Sequence, residues 1–427
     1  MNNPLFKLIM HIAGYDLIKA GKKIEALQKL SIKEKLKWQD AQKWKMARHH
    51  YKYNQNYKDK VGGNFPVKWE DLPIMEKNDY QQPIENLISK NYLKSKLYIS
   101  NTSGSSGHPF FFAKNKEAHS LTWAYIQKRY KDLGIGDYEL EARFYGIPLE
   151  KKGYFKEILK DWIANRIRFP VFDLSDEVFA KFIILFKKKN FTYIYGYTNS
   201  IVLFSRYVIR EGINFFDICP SLKKIIVTSE ICTNEDRQII KKAFDLPILS
   251  EYGASEFGYI GFQKSSNIWQ VADDLVYVEN DSHQNLLITD LHNKAFPFIR
   301  YRIGDIGKLF HNDSGNQYIE NLQGRTNDSI ILPSGKIAPG LTFYYISRSI
   351  LEKSSVLKEF IIKQIEKDFF IFEVVSFKPI DDTLLLELQD NVDKYLEPGI
   401  RIKINRVDSI SRPNSGKIKH FYSLINQ

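Results

Sequence analysis

FAKFIILFKK (Phe179–Lys188), TYIYGY (Thr192–Tyr197), KKIIVT (Lys223–Thr228), EDRQIIKKAF (Glu235–Phe244) and PILSEY (Pro247–Tyr252) follow one another along the chain. The first and fourth repeat apolar residues at helical spacing, and the others are short β-branched and aromatic runs. Strands separated by helices of this length predict parallel pairing and therefore an α/β architecture. Upstream, ARFYGI (142–147) and LYIS (97–100) extend the strand series. Downstream, LVYVEN (275–280) and NLLITD (285–290) lie too close together for crossover helices, which predicts an antiparallel layer.

Before this block, Ile12 to Lys60 reads as helices, with Ile24, Leu27, Leu30, Leu36 and Trp38 expected to pack. Two prolines in FPVKWEDLPIMEKNDYQQ (65–82) impose extended or turn conformations on the segment that follows. After Gly324 come a helical run near Leu341 to Lys353, the strands EFIIKQIE (359–366) and DFFIFEVVSF (368–377), a helix over Asp381 to Leu396 and the strand RIKINRVD (401–408). The expected organisation is a large N-terminal domain over 1–324, with mixed sheets flanked by helices and a helical lead-in over 1–70, followed by a small α+β domain over 325–427.

The 427 residues include 62 Lys+Arg against 50 Asp+Glu, a formal charge of +12, and 43% are hydrophobic. Such a composition suits a globular protein of two or three domains. Cys219 and Cys232 supply neither a disulfide framework nor a thiolate metal site, which fits a reducing, cytoplasmic compartment. Dispersed histidines argue against zinc chemistry, and the lack of a Gly-x-Ser-x-Gly elbow argues against a Ser/His hydrolase. No apolar run approaches the length of a membrane helix, and the N-terminus lacks a signal-peptide pattern. The basic residues form short clusters such as Lys187-Lys188-Lys189 without a nucleic-acid-binding motif, so no nucleic-acid partner is expected. A solvated Lys-rich surface accounts for them, with attraction toward anionic ligands or surfaces as the second reading.

Chemistry concentrates in a few segments. Directly after LYIS stands Ser100-Asn101-Thr102-Ser103-Gly104-Ser105-Ser106-Gly107-His108-Pro109, whose hydroxyls and backbone amides can wrap a polyphosphate. It lacks the Gly-Lys-Ser/Thr ending of a Walker A loop and, taken alone, is equally an ordinary turn. Glu251-Tyr252-Gly253-Ala254-Ser255-Glu256 offers a stacking ring, backbone room, a hydroxyl and a carboxylate suited to Mg²⁺. Phe298-Ile299-Arg300-Tyr301-Arg302-Ile303-Gly304-Asp305 ends on a carboxylate able to accept from paired ribose hydroxyls, and a turn aspartate explains it as well. Gln323-Gly324-Arg325-Thr326-Asn327-Asp328 marks the composition boundary. Ser-Gly-Lys occurs at Ser334-Gly335-Lys336 and again at Ser415-Gly416-Lys417, and a loop lysine can bring a point charge to a phosphate.

In this order the segments resemble the adenylate-forming (AMP-binding) superfamily, whose pattern is a Thr-Ser-Gly-Ser-Ser/Thr-Gly-x-Pro loop, Tyr-Gly-x-Thr-Glu, Tyr-Arg-x-Gly-Asp, Gly-Arg-x-Asp-Asp and a late Ser-Gly-Lys. Two positions depart from it: Ser255 stands for Thr and keeps the hydroxyl, and Asn327 stands where Asp or Lys is usual. Trp69-Glu70-Asp71-Leu72-Pro73 and Tyr195-Gly196-Tyr197-Thr198-Asn199-Ser200 look most like the phenylacetate-CoA ligase branch, which includes relatives from surface-polysaccharide clusters.

The resemblance implies an ATP-dependent carboxylic acid ligase with a mobile C-terminal lid. A carboxylate attacks the α-phosphate of ATP, pyrophosphate leaves, and an acceptor displaces AMP from the acyl-adenylate. Thr102, Ser103, Ser105 and Ser106 are thereby assigned to the β/γ-phosphates, with Gly104 and Gly107 giving the loop its reach. Tyr252 and Gly253 go to the adenine, Ser255 to the α-phosphate, Glu256 to Mg²⁺, and Asp305 with Arg325 to the ribose. Lys417, rather than Lys336, becomes the catalytic lysine, and Asn327 the hinge. By the same resemblance the acyl pocket is expected around Tyr145-Gly146-Ile147-Pro148, Tyr195, Tyr197, Ser229, Glu230, Gly253 and Ala254. Coenzyme A is the implied acceptor, and an amine on an amino sugar or amino acid is the alternative. A nucleotide- or acyl-binding protein without turnover is the alternative of another class, against which the retained Glu256, Asp305 and Lys417 argue. The acid and the oligomeric state stay open.

Overall fold

The computed structural model describes residues 4–102, 110–136, 139–312, 315–323, 329–340, 342–343, 346, 357–376, 382–410 and 421–425. Helices α1 (Pro4–Ile12), α2 (Leu17–Gln28), α3 (Ile32–Tyr53) and α4 (Gln55–Val61) lead in. A capping box between Ser31 and Glu34 starts α3. Its inner face departs from the apolar spacing: Leu36 is exposed, whereas Gln39, Lys43, Met46, Ala47 and His50 are buried. The polar members are tolerated because each finds a partner. Gln39 Nε2 donates to the Asp273 carbonyl at 2.8 Å, and Lys43 Nζ lies 4.8 Å from the Trp69 ring and 4.4 Å from the Tyr277 ring.

The proline-bearing segment after α4 is strapped down by a distant arginine. Arg300 Nη1 donates to the Glu70 carbonyl at 2.6 Å and to the Leu72 carbonyl at 2.5 Å, and its Nε pairs with Glu279 Oε1 at 2.6 Å. Trp69 and Met75 are buried beneath this strap. After α5 (Ile84–Leu87), strands β1 (Tyr98–Asn101) and β2 (Phe111–Lys114) form an antiparallel hairpin.

Then α6 (Lys116–Asp132), β3 (Glu141–Phe144), α7 (Lys151–Ile163), β4 (Arg166–Phe169), α8 (Asp176–Lys188), β5 (Tyr193–Tyr197), α9 (Thr198–Arg210), α10 (Phe215–Ile218), β6 (Lys224–Thr228), α11 (Asn234–Phe244) and β7 (Ile248–Tyr252) follow. Strands pair in parallel in the order β4-β3-β5-β6-β7, as the helix and strand periods predict. The Tyr-Ile-Tyr-Gly-Tyr run of β5 is largely covered on both faces, the environment of a central parallel strand.

Beyond β7 the same sheet turns antiparallel. It continues through β8 (Gly261–Ser265), β9 (Ile268–Val271), β10 (Val276–Asn280), β11 (Asn285–Asp290), β12 (Tyr301–His311) and β13 (Gln317–Gln323), in the spatial order β7-β8-β9-β13-β12-β11-β10. One apolar core joins the lead-in helices, the β1-β2 hairpin and this antiparallel half around Tyr80, Phe112, Phe298 and Tyr301. Another packs α8, α9 and α11 on the parallel half around Phe144, Phe169, Phe186 and Phe204. Strand β7 is therefore a seam, with a parallel neighbour on one edge and an antiparallel one on the other.

The C-terminal α+β unit contains the hairpin β14 (Ser329–Ile331) and β15 (Ile337–Pro339), then β16 (Leu357–Glu366), β17 (Phe369–Ser376), α12 (Asp382–Tyr395), β18 (Arg401–Arg406) and β19 (Phe421–Ser423), with a four-stranded sheet ordered β18-β17-β16-β19. Strict alternation of buried and half-buried positions along β17 marks a sheet covered chiefly on one side. The expected boundary at 324/325 and most of the helical run near Leu341 to Lys353 lie outside the described residues. Tyr395 ties the unit to the loop after β3: its hydroxyl accepts from Leu149 N at 3.0 Å and donates to Glu150 Oε1 at 3.1 Å.

Candidate active site at the end of strand β7

Tyr252 closes β7, and its hydroxyl donates to Asp305 Oδ2 at 2.8 Å. Two segments singled out by sequence are thus joined by one hydrogen bond. Asp305 is not a turn residue: it lies inside β12 and is 6% exposed. The turn reading gives way because Gly304, at φ +93°, permits a bulge where the β11-β12 register shifts between Asn285 and Leu287. Asp305 Oδ1 is buried with no hydrogen-bond partner. A buried carboxylate oxygen left without a donor is costly, and a ligand hydroxyl relieves that cost.

After Tyr252 the chain reverses. A Cβ on Gly253 would lie 2.3 Å from the Gly258 carbonyl oxygen, so only glycine fits. Gly258 N donates to the Ala254 carbonyl at 2.6 Å, leaving Ala254 half-buried and Ser255 exposed. Glu256 turns inward to 5% exposure, and its Oε1 accepts from the Tyr301 hydroxyl at 3.2 Å. Lys114, at the end of β2, is buried nearby. Desolvation pushes its pKa down to about 8 against the pull of Asp290 and Glu256. Among the described residues no cluster of three or more His, Cys, Asp or Glu could hold a metal by itself. Mg²⁺ held mostly by phosphate oxygens and water needs only one or two carboxylates, and Glu256 fits that requirement.

Thr102 closes the base of the Gly/Ser loop. Its amide donates to the Phe110 carbonyl at 3.0 Å, and Phe110 N donates to its Oγ1 at 3.1 Å. Ser103, Gly104, Ser105, Ser106 and Gly107 lie outside the described residues, as do Arg325, Asn327 and Lys417. Lys336 sits between β14 and β15, 3.6 Å from Asp173, in keeping with its assignment to a hairpin.

The ends of β3, β5 and β6 bring Tyr145, Tyr195, Tyr197 and Ser229 together. Tyr145 stacks on Tyr195 with ring centroids 5.8 Å apart, and 4.1 Å separates it from the buried Tyr197. The Tyr145 hydroxyl lies 3.5 Å from Ser229 Oγ, and Ser229 adopts a left-handed φ of +71°. The Arg143 guanidinium lies 4.8 Å from the Tyr195 ring and 5.2 Å from that of Tyr145, and it pairs with Glu141 at 2.5 Å. Glu230 Oε2 accepts from Asn199 N at 2.9 Å, while its Oε1 is buried without a partner.

No family model matches the chain. A structure of 2-hydroxyisobutyryl-CoA ligase, in an open conformation with 2-HIB-AMP and CoA, matches at a TM-score of 0.54 and 16% identity, covering 92% of each chain. "Protein CapK" of Staphylococcus aureus is 26% identical over 277 residues, 60% of this chain and 59% of its own length. The likeness to the 2-hydroxyisobutyryl-CoA ligase shows a shared fold. A further relative, an indoleacetate–lysine synthetase of Pseudomonas savastanoi, is 29% identical over 119 residues, 27% of this chain and 29% of its own. The matched stretches span less than two thirds of either curated relative.

Sequence reasoning missed Tyr301, Lys114 and Arg143. Tyr301 stands inside the Tyr-Arg-x-Gly-Asp segment, and its alternation with Ile303 along β12 marks it as inward. Lys114 alternates with Phe112 in the same sense. Arg143 had no local signal.

Two buried carboxyls carry a pH signature. Burial pushes Glu230 up to about 7 against the Asn199 amide, and pushes Glu251 up to about 7 against its bond from Tyr130 and the charge of Arg143. Both hold their protons more tightly folded than unfolded, where carboxyls titrate near 4.5. Their contribution is therefore complete below about 4.5, declines by about 1.4 kcal/mol per pH unit per carboxyl up to about 7, and is flat above. Glu141 and Asp161 are also buried, but arginines hold them below the ordinary range, so they act in the opposite sense at lower pH. Burial lowers His50 and His119 to about 3, and these histidines add stability as pH rises toward 6.5, opposite in sense to the two carboxyls. The test is therefore a difference: between about pH 5.5 and 7.5 the urea midpoint of the unaltered protein should fall relative to that of Glu251→Gln, and parallel profiles rule Glu251 out as a source.

Proposed function

We propose that this protein is an adenylate-forming, ATP-dependent carboxylic acid ligase that makes an acyl-adenylate with release of pyrophosphate and passes the acyl group to an acceptor. The carrying observation is Asp305, fixed by Tyr252 through one oxygen with the other buried and free to take a ribose hydroxyl. Tyr252 then flanks adenine, Ser255 reaches the α-phosphate, Arg325 assists at the ribose, and the loop from Thr102 through Ser103, Gly104, Ser105 and Ser106 to Gly107 wraps the β- and γ-phosphates. Glu256 would hold Mg²⁺, whose charge, when bound, offsets that of the phosphates. Catalysis of anion attacking anion rests on positioning and charge neutralisation, and Lys417 supplies the point charge between carboxylate and α-phosphate. We place the domain boundary at 324/325, with Asn327 as the hinge of a lid that carries Lys417.

Tyr145, Tyr195, Tyr197, Ser229, Glu230 and Ala254 form the acyl side, whose stacked rings suit an aryl or other compact acid. Coenzyme A is the first acceptor assigned, in line with the phenylacetate-CoA ligase-like segments. An amine, on an amino sugar or amino acid of a surface polysaccharide, is the second, favoured by the likeness to the indoleacetate–lysine synthetase. Pyrophosphate release should be measured with ATP and Mg²⁺ across aryl, short-chain, hydroxy and amino acids, with hydroxylamine to trap adenylates. Acid-dependent release with hydroxamate formation is expected, and discharge by coenzyme A or by amines then separates the acceptors. A chain that binds no ATP refutes the proposal.

A further inference from the structure

Helix α7 is built inside out. Its only acids, Glu157 and Asp161, face the protein, where Asp161 pairs with Arg166 Nε at 2.5 Å and Arg168 Nε at 2.7 Å, and Glu157 with Arg168 at 3.1 Å. Burial by itself would raise both carboxyls, yet the neighbouring cations hold them below the ordinary range. With the acids turned in, the outer face carries Phe155 at 68% exposure, Ile158 at 41%, Leu159 at 56% and Trp162 at 67%. These positions fall at i, i+3, i+4 and i+7, a continuous stripe of the kind a helix normally buries. Exposed Lys151, Lys156 and Lys160 flank it, Lys160 also reaching Glu157 at 2.6 Å.

We propose that this face docks on an anionic membrane surface. An apolar stripe takes up the headgroup–acyl boundary, an indole prefers that depth, and flanking lysines reach lipid phosphates. The charge balance selects this occupant over a second copy, because α7 against α7 would set Lys151 and Lys156 near their own counterparts with no acid on the outer face of α7 to pair them. The formal charge of +12 adds attraction at longer range. A helix of 13 residues fixed along one side to β4 gives peripheral, reversible, salt-sensitive attachment.

The full chain should be sedimented with vesicles of phosphatidylcholine alone and of phosphatidylcholine with phosphatidylglycerol, at low and high salt. Binding to the anionic vesicles is expected, weakened by salt, and reduced about tenfold in Phe155→Ser/Trp162→Ser with thermal melting unchanged. Lys156→Glu/Lys160→Glu should lose the preference for anionic lipid. Failure of the unaltered chain to bind anionic vesicles overturns the proposal, as does equal binding by the serine variant. A concentration-dependent dimer that the serine substitutions dissolve also overturns it, since the face is then a contact between copies.

Discussion

Replacing Asp305 by alanine should raise the ATP concentration needed for half-maximal pyrophosphate release by roughly 10²–10⁴-fold. A hydrogen bond to a charged group contributes about 1.5–3 kcal/mol, and a ribose offers two hydroxyls. At about 1.4 kcal/mol per factor of ten, the pair accounts for that range. Removing the carboxylate also strips the buried Tyr252 hydroxyl of its acceptor, so Asp305→Asn, which keeps an oxygen for Tyr252, separates a folding defect from a binding one. The decisive comparison uses 2′,3′-dideoxy-ATP. It should be a poor substrate for the unaltered protein by a similar factor, and Asp305→Ala should no longer distinguish it from ATP. Continued discrimination by the variant would place the ribose elsewhere.

The second large effect belongs to Lys417→Ala. Charge that develops between the attacking carboxylate and the α-phosphate exists only near the transition state, so the lysine should act on kcat rather than on ATP affinity. Loss of one such electrostatic contact typically costs roughly 10²–10³-fold in kcat. ATP binding, followed by equilibrium titration, should stay near normal. Near-normal adenylate formation in the variant would remove Lys417 from its assigned role.

How far the sequence carries depends on whether a feature is local. The parallel half was legible because its helices and strands have distinct apolar periods, and β7 with its Tyr252-Gly253 turn could be placed from a short run of letters. Asp305 was legible as a carboxylate but not as a strand residue, because Gly304 reads as a turn until β11 pairs beside it. The inner face of α3 was misread at Leu36 for the same physical reason. Gln39 goes inward because the Asp273 carbonyl waits there, a partner 234 residues away. Helix α7 shows the limit of periodicity, which finds two faces but not which of them turns in, and Arg166 with Arg168 decides that.

The grip of Arg300 on the strap over Trp69 has a consequence for biosynthesis. Its acceptors at Glu70 and Leu72 lie 230 and 228 residues earlier in the chain. Contacts of such separation form late, since the entropy of the intervening chain must be surrendered first. While the ribosome adds those residues, Trp69 and Met75 lack the partners that Tyr277, Arg300 and Tyr301 supply, and a nascent chain that has not reached Arg300 carries an incompletely covered aromatic segment. Chaperone occupancy of residues 65–82 should therefore end when the antiparallel half emerges, well before the C-terminal unit is made.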